Sequence, residues 1–248
     1  MNLNNCRALV TGGGGGLGRY ILESLAAEGV NVAVAYNRSL ERAKEAAEVV
    51  KASGQKAFCV ELSLTDDESI KSGVEEAVRQ LGGLDILINN AGVAGGVPFE
   101  DFTVEELDKQ LAVNIRGPFL LSRTVAPHLK ESGNGRIVNV GSVIGLTSAV
   151  SESSIGPVLS KSCVIPLTRY LAAALAPEVL VNCVTPGLME NTLMSSGASK
   201  EYVQKWRDMS VLGQTTSHAD VAAQIIQFCK SDTITGQTLV IDGGIHFH

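Results

Sequence analysis

The stretch Thr11-Gly12-Gly13-Gly14-Gly15-Gly16-Leu17-Gly18-Arg19 decides how this chain folds. It lies between a β-branched run, Arg7–Thr11, and an amphipathic segment, 17–28. Glycine is required where a strand turns sharply into a helix and a ligand must approach the backbone. The amides at that helix N-terminus then face a phosphate. Five consecutive glycines leave two registers open. Gly13, Gly15 and Gly18 satisfy G-x-G-x-x-G, whereas Thr11, Gly12, Gly16 and Gly18 satisfy T-G-x-x-x-G-x-G. Both predict a dinucleotide site after a first strand, with Gly12, Gly16, Leu17 and Gly18 at the pyrophosphate. A glycine turn serving packing alone is the competing reading.

Outward from the turn, short apolar runs alternate with helical patterns. Strands are expected at 7–11, 31–35, 57–60, 84–88, 136–140, 180–184 and 238–241. Helices are expected at 17–28, 39–53, 66–81, 104–131, 157–175 and 218–228. Regular β-α alternation implies parallel strands with helices on both faces, because crossovers are right-handed. The expected fold is a single α/β domain over residues 1–248, a doubly wound Rossmann-type parallel sheet of about seven strands. The least regular segment, 187–213, follows a strand's carboxyl end and is read as a substrate lid.

Composition narrows the function. The chain has 248 residues, 45% hydrophobic and 19% charged, with 26 acidic and 20 basic side chains. That content supports a packed core, and the net charge of -6 disfavours nucleic acid as a partner. No apolar run reaches the ~18 residues a bilayer requires, and the polar start shows no signal peptide. Five scattered cysteines without a Cys-x-x-Cys pair are read as buried free thiols, with no metal site and a cytoplasmic location. His246 and His248 are read as exposed and inert.

A carboxylate that would bind the ribose hydroxyls is expected about 20 residues beyond the glycines. The sequence there is Tyr36-Asn37-Arg38-Ser39. Arg38 suits a 2'-phosphate instead, favouring NADP over NAD.

With these residues assembled, the chain resembles the short-chain dehydrogenase/reductase family along its whole length. Asn89-Asn90-Ala91-Gly92 is similar to the family's NNAG motif, and Asn114 to its helix asparagine. Gly141-Ser142 matches the catalytic serine, Lys161 the catalytic lysine, and Pro186-Gly187 and Asp242-Gly243-Gly244 later landmarks. The resemblance implies that Asn90, Ala91, Gly92, Lys161, Pro186 and Gly187 join Asn37 and Arg38 in holding the cofactor. It implies that Ser142 orients a substrate oxygen and Asn114 supports a water relay.

The resemblance breaks at the proton donor. The family places a tyrosine four residues before its lysine, and here that position is Pro157. Proline cannot act as acid or base. Tyr170 lies about 2.5 helical turns beyond Lys161, on the opposite side. Ser142, Lys161 and Asn114 therefore form an incomplete tetrad. The stretch from Ser142 to Pro157 also exceeds the family norm by about two residues, and Pro157 suits a first helical turn capped by Ser153 or Ser154. Ser63 stands where the family commonly has the aspartate that meets the adenine amino group. These departures leave open that no nucleotide binds.

Three functions follow. The first is a catalytically silent subunit of a hetero-oligomeric NAD(P)-dependent alcohol or 3-hydroxyacyl-thioester dehydrogenase, a pseudoenzyme beside an active paralogue. Homo- or hetero-oligomers would form through 104–131 and 157–175, as the resemblance implies. The second is an active oxidoreductase whose proton donor is not a tyrosine in the tetrad, with Glu152 or the lid's Tyr202 as candidates. The third is a nucleotide-sensing regulator.

Overall fold

In the computed structural model, which describes residues 1–146, 155–192, 195 and 197–247, each expected strand takes its place in one parallel sheet. The strands are β1 (Arg7–Thr11), β2 (Asn31–Tyr36), β3 (Ala57–Glu61), β4 (Ile86–Asn89), β5 (Gly135–Val140), β6 (Val179–Pro186) and β7 (Thr238–Ile241). Their order is β3-β2-β1-β4-β5-β6-β7. Leu9 of β1 lies opposite Ala33 of β2 on one side and Leu87 of β4 on the other. Strand order reverses between β1 and β4, and a ligand crevice opens there at the carboxyl ends.

The strands read as nearly continuous apolar runs because both faces are covered. Side chains alternate between two cores. Ala8, Val10, Val32, Val34, Ile86 and Ile88 meet helices α1 (Leu17–Ala27), α2 (Leu40–Ala52) and α9 (His218–Lys230). Leu9, Ala33, Leu87 and Ile137 meet α3 (Asp67–Leu81), α5 (Gly117–Glu131) and α7 (Val164–Leu175). Ser39, Asp66 and Ser217 cap α2, α3 and α9 through side-chain oxygens that accept backbone N–H groups. Helix α1 begins without a side-chain cap and without an acid in its first turn.

Three expectations need correction. The helix expected at 104–131 is α4 (Val104–Leu111) and α5 joined by a π-helical turn, Ala112–Arg116, whose hydrogen bonds span one residue more than those of an α-helix. The helix expected from Pro157 begins at Ile155 and divides at Cys163 into α6 (Ile155–Ser162) and α7. Pro157 stays in the first turn, where a missing N–H costs nothing. The proposed caps Ser153 and Ser154 lie outside the described residues. Segment 187–213 is not wholly irregular, because Ser199 caps a short helix, α8 (Lys200–Met209).

Two compositional readings also change. The stretch 155–175 is apolar and long enough to cross a membrane, yet it packs α7 on β6 and carries buried Lys161. The cysteines are free, but only Cys183 and Cys229 are buried, and Cys163 is exposed.

Candidate active site

The glycine turn resolves its own register. Gly12 and Gly16 have φ of 67° and 51°, a region that L side chains avoid. A Cβ at Gly18 would sit 2.2 Å from the Gly12 carbonyl oxygen. A Cβ at Gly15 would meet nothing within 4 Å. The geometry therefore demands glycine at every glycine position of T-G-x-x-x-G-x-G, whereas G-x-G-x-x-G fails at Gly15, where a side chain would meet open space. Beyond it the uncapped amides of α1 face the crevice.

Thr11 and Asn90 tie the two strands that flank the switch point. Thr11 Oγ1 donates to the Ile88 carbonyl at 3.3 Å and accepts from the N–H groups of Asn90 and Ala91 at 3.1 and 3.0 Å. Asn90 Nδ2 donates to the carbonyls of Thr11 and Gly12, both at 3.0 Å. Gly12 lies against Ala91 so closely that a Cβ would come within 2.9 Å of the Ala91 Cα. The NNAG-like segment thus braces the glycine turn from behind and leads Gly92 into the crevice.

Asn114, Lys161 and Gly92 converge. A Cβ on Gly92 would lie 3.1 Å from both Asn114 Oδ1 and Lys161 Nζ. Buried Asn114 accepts from the Val93 N–H at 2.9 Å, and its Nδ2 donates to the Val93 carbonyl at 2.8 Å and to Ser160 Oγ at 2.9 Å. One turn earlier, Gln110 packs directly on Gly156, where a Cβ would come within 2.7 Å of Nε2. Gln110 and Asn114 therefore seat α6 at two points that bracket Pro157.

Lys161 is 7% exposed, and its Nζ donates to the Val140 carbonyl at 3.2 Å. Burial pushes its ammonium down to about 8, since no carboxylate among the described residues compensates. Cys183 of β6 is the titratable neighbour, and burial pushes its thiol up to about 11, so it stays neutral. Ser142 follows β5 by two residues, with its Oγ accepting from the Ile144 N–H at 3.3 Å. Gly145 lets the turn after Ser142 lie on α6, because a Cβ there would be 2.6 Å from the Lys161 carbonyl carbon. Tyr170 is 62% exposed, on the outside of α7.

The other expected residues ring the carboxyl edge. Asn37 and Arg38 are exposed beyond β2. Ser63 lies beyond β3, with its hydroxyl 3.1 Å from Thr65 Oγ1. Pro186 closes β6, and the Gly187 N–H donates to the Ile241 carbonyl at 2.9 Å. A cleft of about 530 Å³ separates the glycine turn from segment 190–203, and Arg42, Glu190, Asn191 and Thr192 line it. None of these four was singled out in the sequence. The hydroxyl of Thr215 and the guanidinium of Arg207 hold Glu190 below the usual carboxylate range, donating at 2.6 and 2.7 Å. Tyr202 stays outside the cleft, exposed and edge-on to Trp206 at 6.3 Å. Glu152 lies outside the described residues, as does His248. His246 is not a free tail residue, since its Nδ1 lies 2.7 Å from buried Asp242.

A parallel sheet with an open glycine turn at its switch point, and an Asn and a Lys meeting at Gly92 beside it, defines a dinucleotide-dependent oxidoreductase scaffold. The chain belongs to the short chain dehydrogenase family, which it matches over residues 7–203. It is 37% identical over 242 residues to the 3-oxoacyl-[acyl-carrier-protein] reductase FabG of Aquifex aeolicus, covering 96% of each chain. Among solved structures it resembles a dehydrogenase/reductase from Sinorhizobium meliloti, with a TM-score of 0.91, 32% identity and coverage of 99% and 98%. It also resembles a short chain dehydrogenase from Burkholderia cenocepacia in complex with NADP, with a TM-score of 0.90, 34% identity and 99% coverage of each.

Proposed function

We propose that this chain binds NADP(H) at its glycine turn and is a catalytically silent subunit of a cytoplasmic alcohol or 3-hydroxyacyl-thioester dehydrogenase. The observation that carries the reading is Pro157, one helical turn before buried Lys161 in α6. The cradle fits a dinucleotide, since Gly15 opens onto unfilled space and α1 begins with no side-chain cap on its first amides. Bound there, the nicotinamide group would supply or accept hydride. The absence of a carboxylate after β2 favours the 2'-phosphorylated form.

The chain's own residues then have limited roles. Gly12, Gly16, Leu17 and Gly18 receive the pyrophosphate. Asn37, Arg38 and Ser63 border the adenosine end, and Asn90, Ala91, Gly92, Pro186 and Gly187 border the nicotinamide end under a lid at 187–213. Ser142 orients a carbonyl oxygen, Asn114 holds the loop at Val93, and Lys161 offers a charge beside Gly92. A ring nitrogen lacking a proton, at Pro157, supplies no acid. Positioned acid–base catalysis is worth ~10²- to 10⁴-fold, and that factor is missing. The partner that supplies it is an active paralogue docked on the α5 and α7 faces. The resemblance to 3-oxoacyl reductases supports a thioester-linked ketone as substrate.

A second reading, an active enzyme with a substitute donor, is favoured by Lys161 itself, whose ammonium burial pushes down to about 8. Steady-state reduction of ketone and 3-oxoacyl thioester probes by the isolated chain separates the two. Negligible turnover with measurable NADPH binding supports the silent subunit, and robust turnover overturns it. Pro157→Tyr, with its turnover compared at matched NADPH occupancy, provides a gain-of-function arm.

A further inference from the structure

Lys161 presents a primary amine beside Gly92. Its Nζ donates to the Val140 carbonyl at 3.2 Å, which points one N–H at β5 and leaves the rest of the amine free. A Cβ on Gly92 would lie 3.1 Å from that nitrogen. Gly92 has no such atom and is half-buried, so a missing side chain holds open the approach to the amine. A residue four places before Lys161 lies on the same face of α6, where a long side chain would stand over the amine. Pro157 occupies that place, and its ring closes back on its own backbone.

The surroundings of the amine are those of a nucleophile. Among the described residues no carboxylate faces Lys161, and Cys183 of β6 is its titratable neighbour. Burial pushes the ammonium down to about 8 and the Cys183 thiol up to about 11. At pH 8 half of the amine therefore carries a free lone pair, whereas the thiol stays protonated. A desolvated lysine without a counter-ion is suited to attack carbonyl carbon.

We propose that Lys161 captures small aldehydes and ketones as a reversible imine, a chemistry separate from hydride transfer and independent of nucleotide binding. The amine nitrogen bonds to the carbonyl carbon as the C=O π pair moves to oxygen. One amine proton passes to that oxygen, giving a carbinolamine. The carbon–oxygen bond then breaks, the second amine proton leaves with the oxygen as water, and C=N remains. No oxidant, reductant or co-reactant enters. The Val140 carbonyl accepts the N–H of the carbinolamine and of a protonated imine. Charge selects the ligand class. Carbon dioxide would leave a buried carbamate anion with no cation beside it among the described residues, whereas a neutral carbonyl adds no charge. Gly92 selects the size, since its missing side chain is the opening.

The test is reductive trapping of the full chain with butanal or butanone and sodium cyanoborohydride, with no nucleotide present, read by peptide mass spectrometry. Each imine formed becomes a stable alkyl-lysine, and the exposed lysines of the same sample are the reference. At pH 7 Lys161 should be alkylated at least about tenfold faster than any exposed lysine, because an ordinary lysine holds far less free amine. The ratio of Lys161 to exposed-lysine labelling should fall about tenfold between pH 7 and 9, since Lys161 gains free amine about tenfold there and an ordinary lysine about a hundredfold. Gly92→Ala, whose Cβ fills the opening, should slow labelling of Lys161 about tenfold and leave the exposed lysines unchanged. Labelling of Lys161 no faster than that of exposed lysines at pH 7 overturns the proposal. So does a ratio that does not fall with pH, or a folded Gly92→Ala chain labelled at the parent rate. The first two readouts need only the unmutated chain, so they decide the matter even where the variant does not fold.

Discussion

Replacing Lys161 by Met should make the protein more stable at neutral pH, although it deletes a residue at the centre of the site. The ammonium is buried, and no carboxylate among the described residues faces it, so its folded value falls from the ordinary 10.5 to about 8. Below pH 8 both folded and unfolded chains carry the proton, and the folded state bears the full cost of the buried charge. At ~1.4 kcal/mol per pH unit, that cost is about 3 kcal/mol. Methionine removes it and forfeits the bond to the Val140 carbonyl, worth ~1 kcal/mol, for a net gain of about 2 kcal/mol at pH 7. Between pH 8 and 10.5 the unfolded chain binds more protons than the folded one, so the parent's stability rises with pH through this residue. The variant's advantage should shrink across that window and reverse at its upper end. Urea unfolding of both proteins from pH 7 to 10 measures the difference directly. A variant less stable at pH 7, or a difference that does not change with pH, would refute the argument that Lys161 is an uncompensated buried cation.

Gly18→Ala should destabilise the fold by about 2–3 kcal/mol and abolish nucleotide binding, because its Cβ collides with the Gly12 carbonyl. Gly15→Ala, which meets open space, should stay within about 1 kcal/mol of the parent in the same melts, and a reversed ranking would assign the wrong glycine register. Asn114→Ala leaves the Val93 N–H and carbonyl without their partner, removes one of the Ser160 hydroxyl's bonds, and should cost about 2–3 kcal/mol by chemical denaturation. Tyr170→Glu, on the exposed face of α7, should dissociate an assembly built on α5 and α7 in sedimentation velocity. An unchanged sedimentation coefficient would put the interface elsewhere.

The alternation of apolar runs and helical patterns was enough to read the sheet, because β1, β2 and β4 are covered on both faces and advertise it as runs of Val, Ile, Leu and Ala. The glycine turn was legible as a turn but not in register, since five identical residues differ only in φ and in what their missing Cβ atoms would strike. Helix α8 escaped notice because Ser and Gly residues precede it. Its signals were the Ser199 cap, Glu201 in the first turn, and Val203 and Trp206 at helical spacing. Arg42 passed for an ordinary helix-forming residue in an Ala, Glu and Lys stretch. The signal that places it was Ser39, whose capping role puts the third residue of α2 near the end of β2. Which side chains line the 530 Å³ cleft is a tertiary fact, set by the meeting of segments about 150 residues apart.

The π-helical turn at Ala112–Arg116 gives the helical stretch 104–131 a phase as well as a length. Loss of any one of its five residues would leave a continuous, regular α-helix with nearly the same composition. It would also rotate everything upstream by about 100° relative to α5. Gln110 would swing off Gly156, and α4 would present a different flank to α6, while α5 stayed seated on the sheet. The orientation of α4 is thus counted out by residue number rather than encoded in which residues are apolar. An alignment that slides by a single place here would match α5 faithfully and still assign the wrong side chains to the wall of the site.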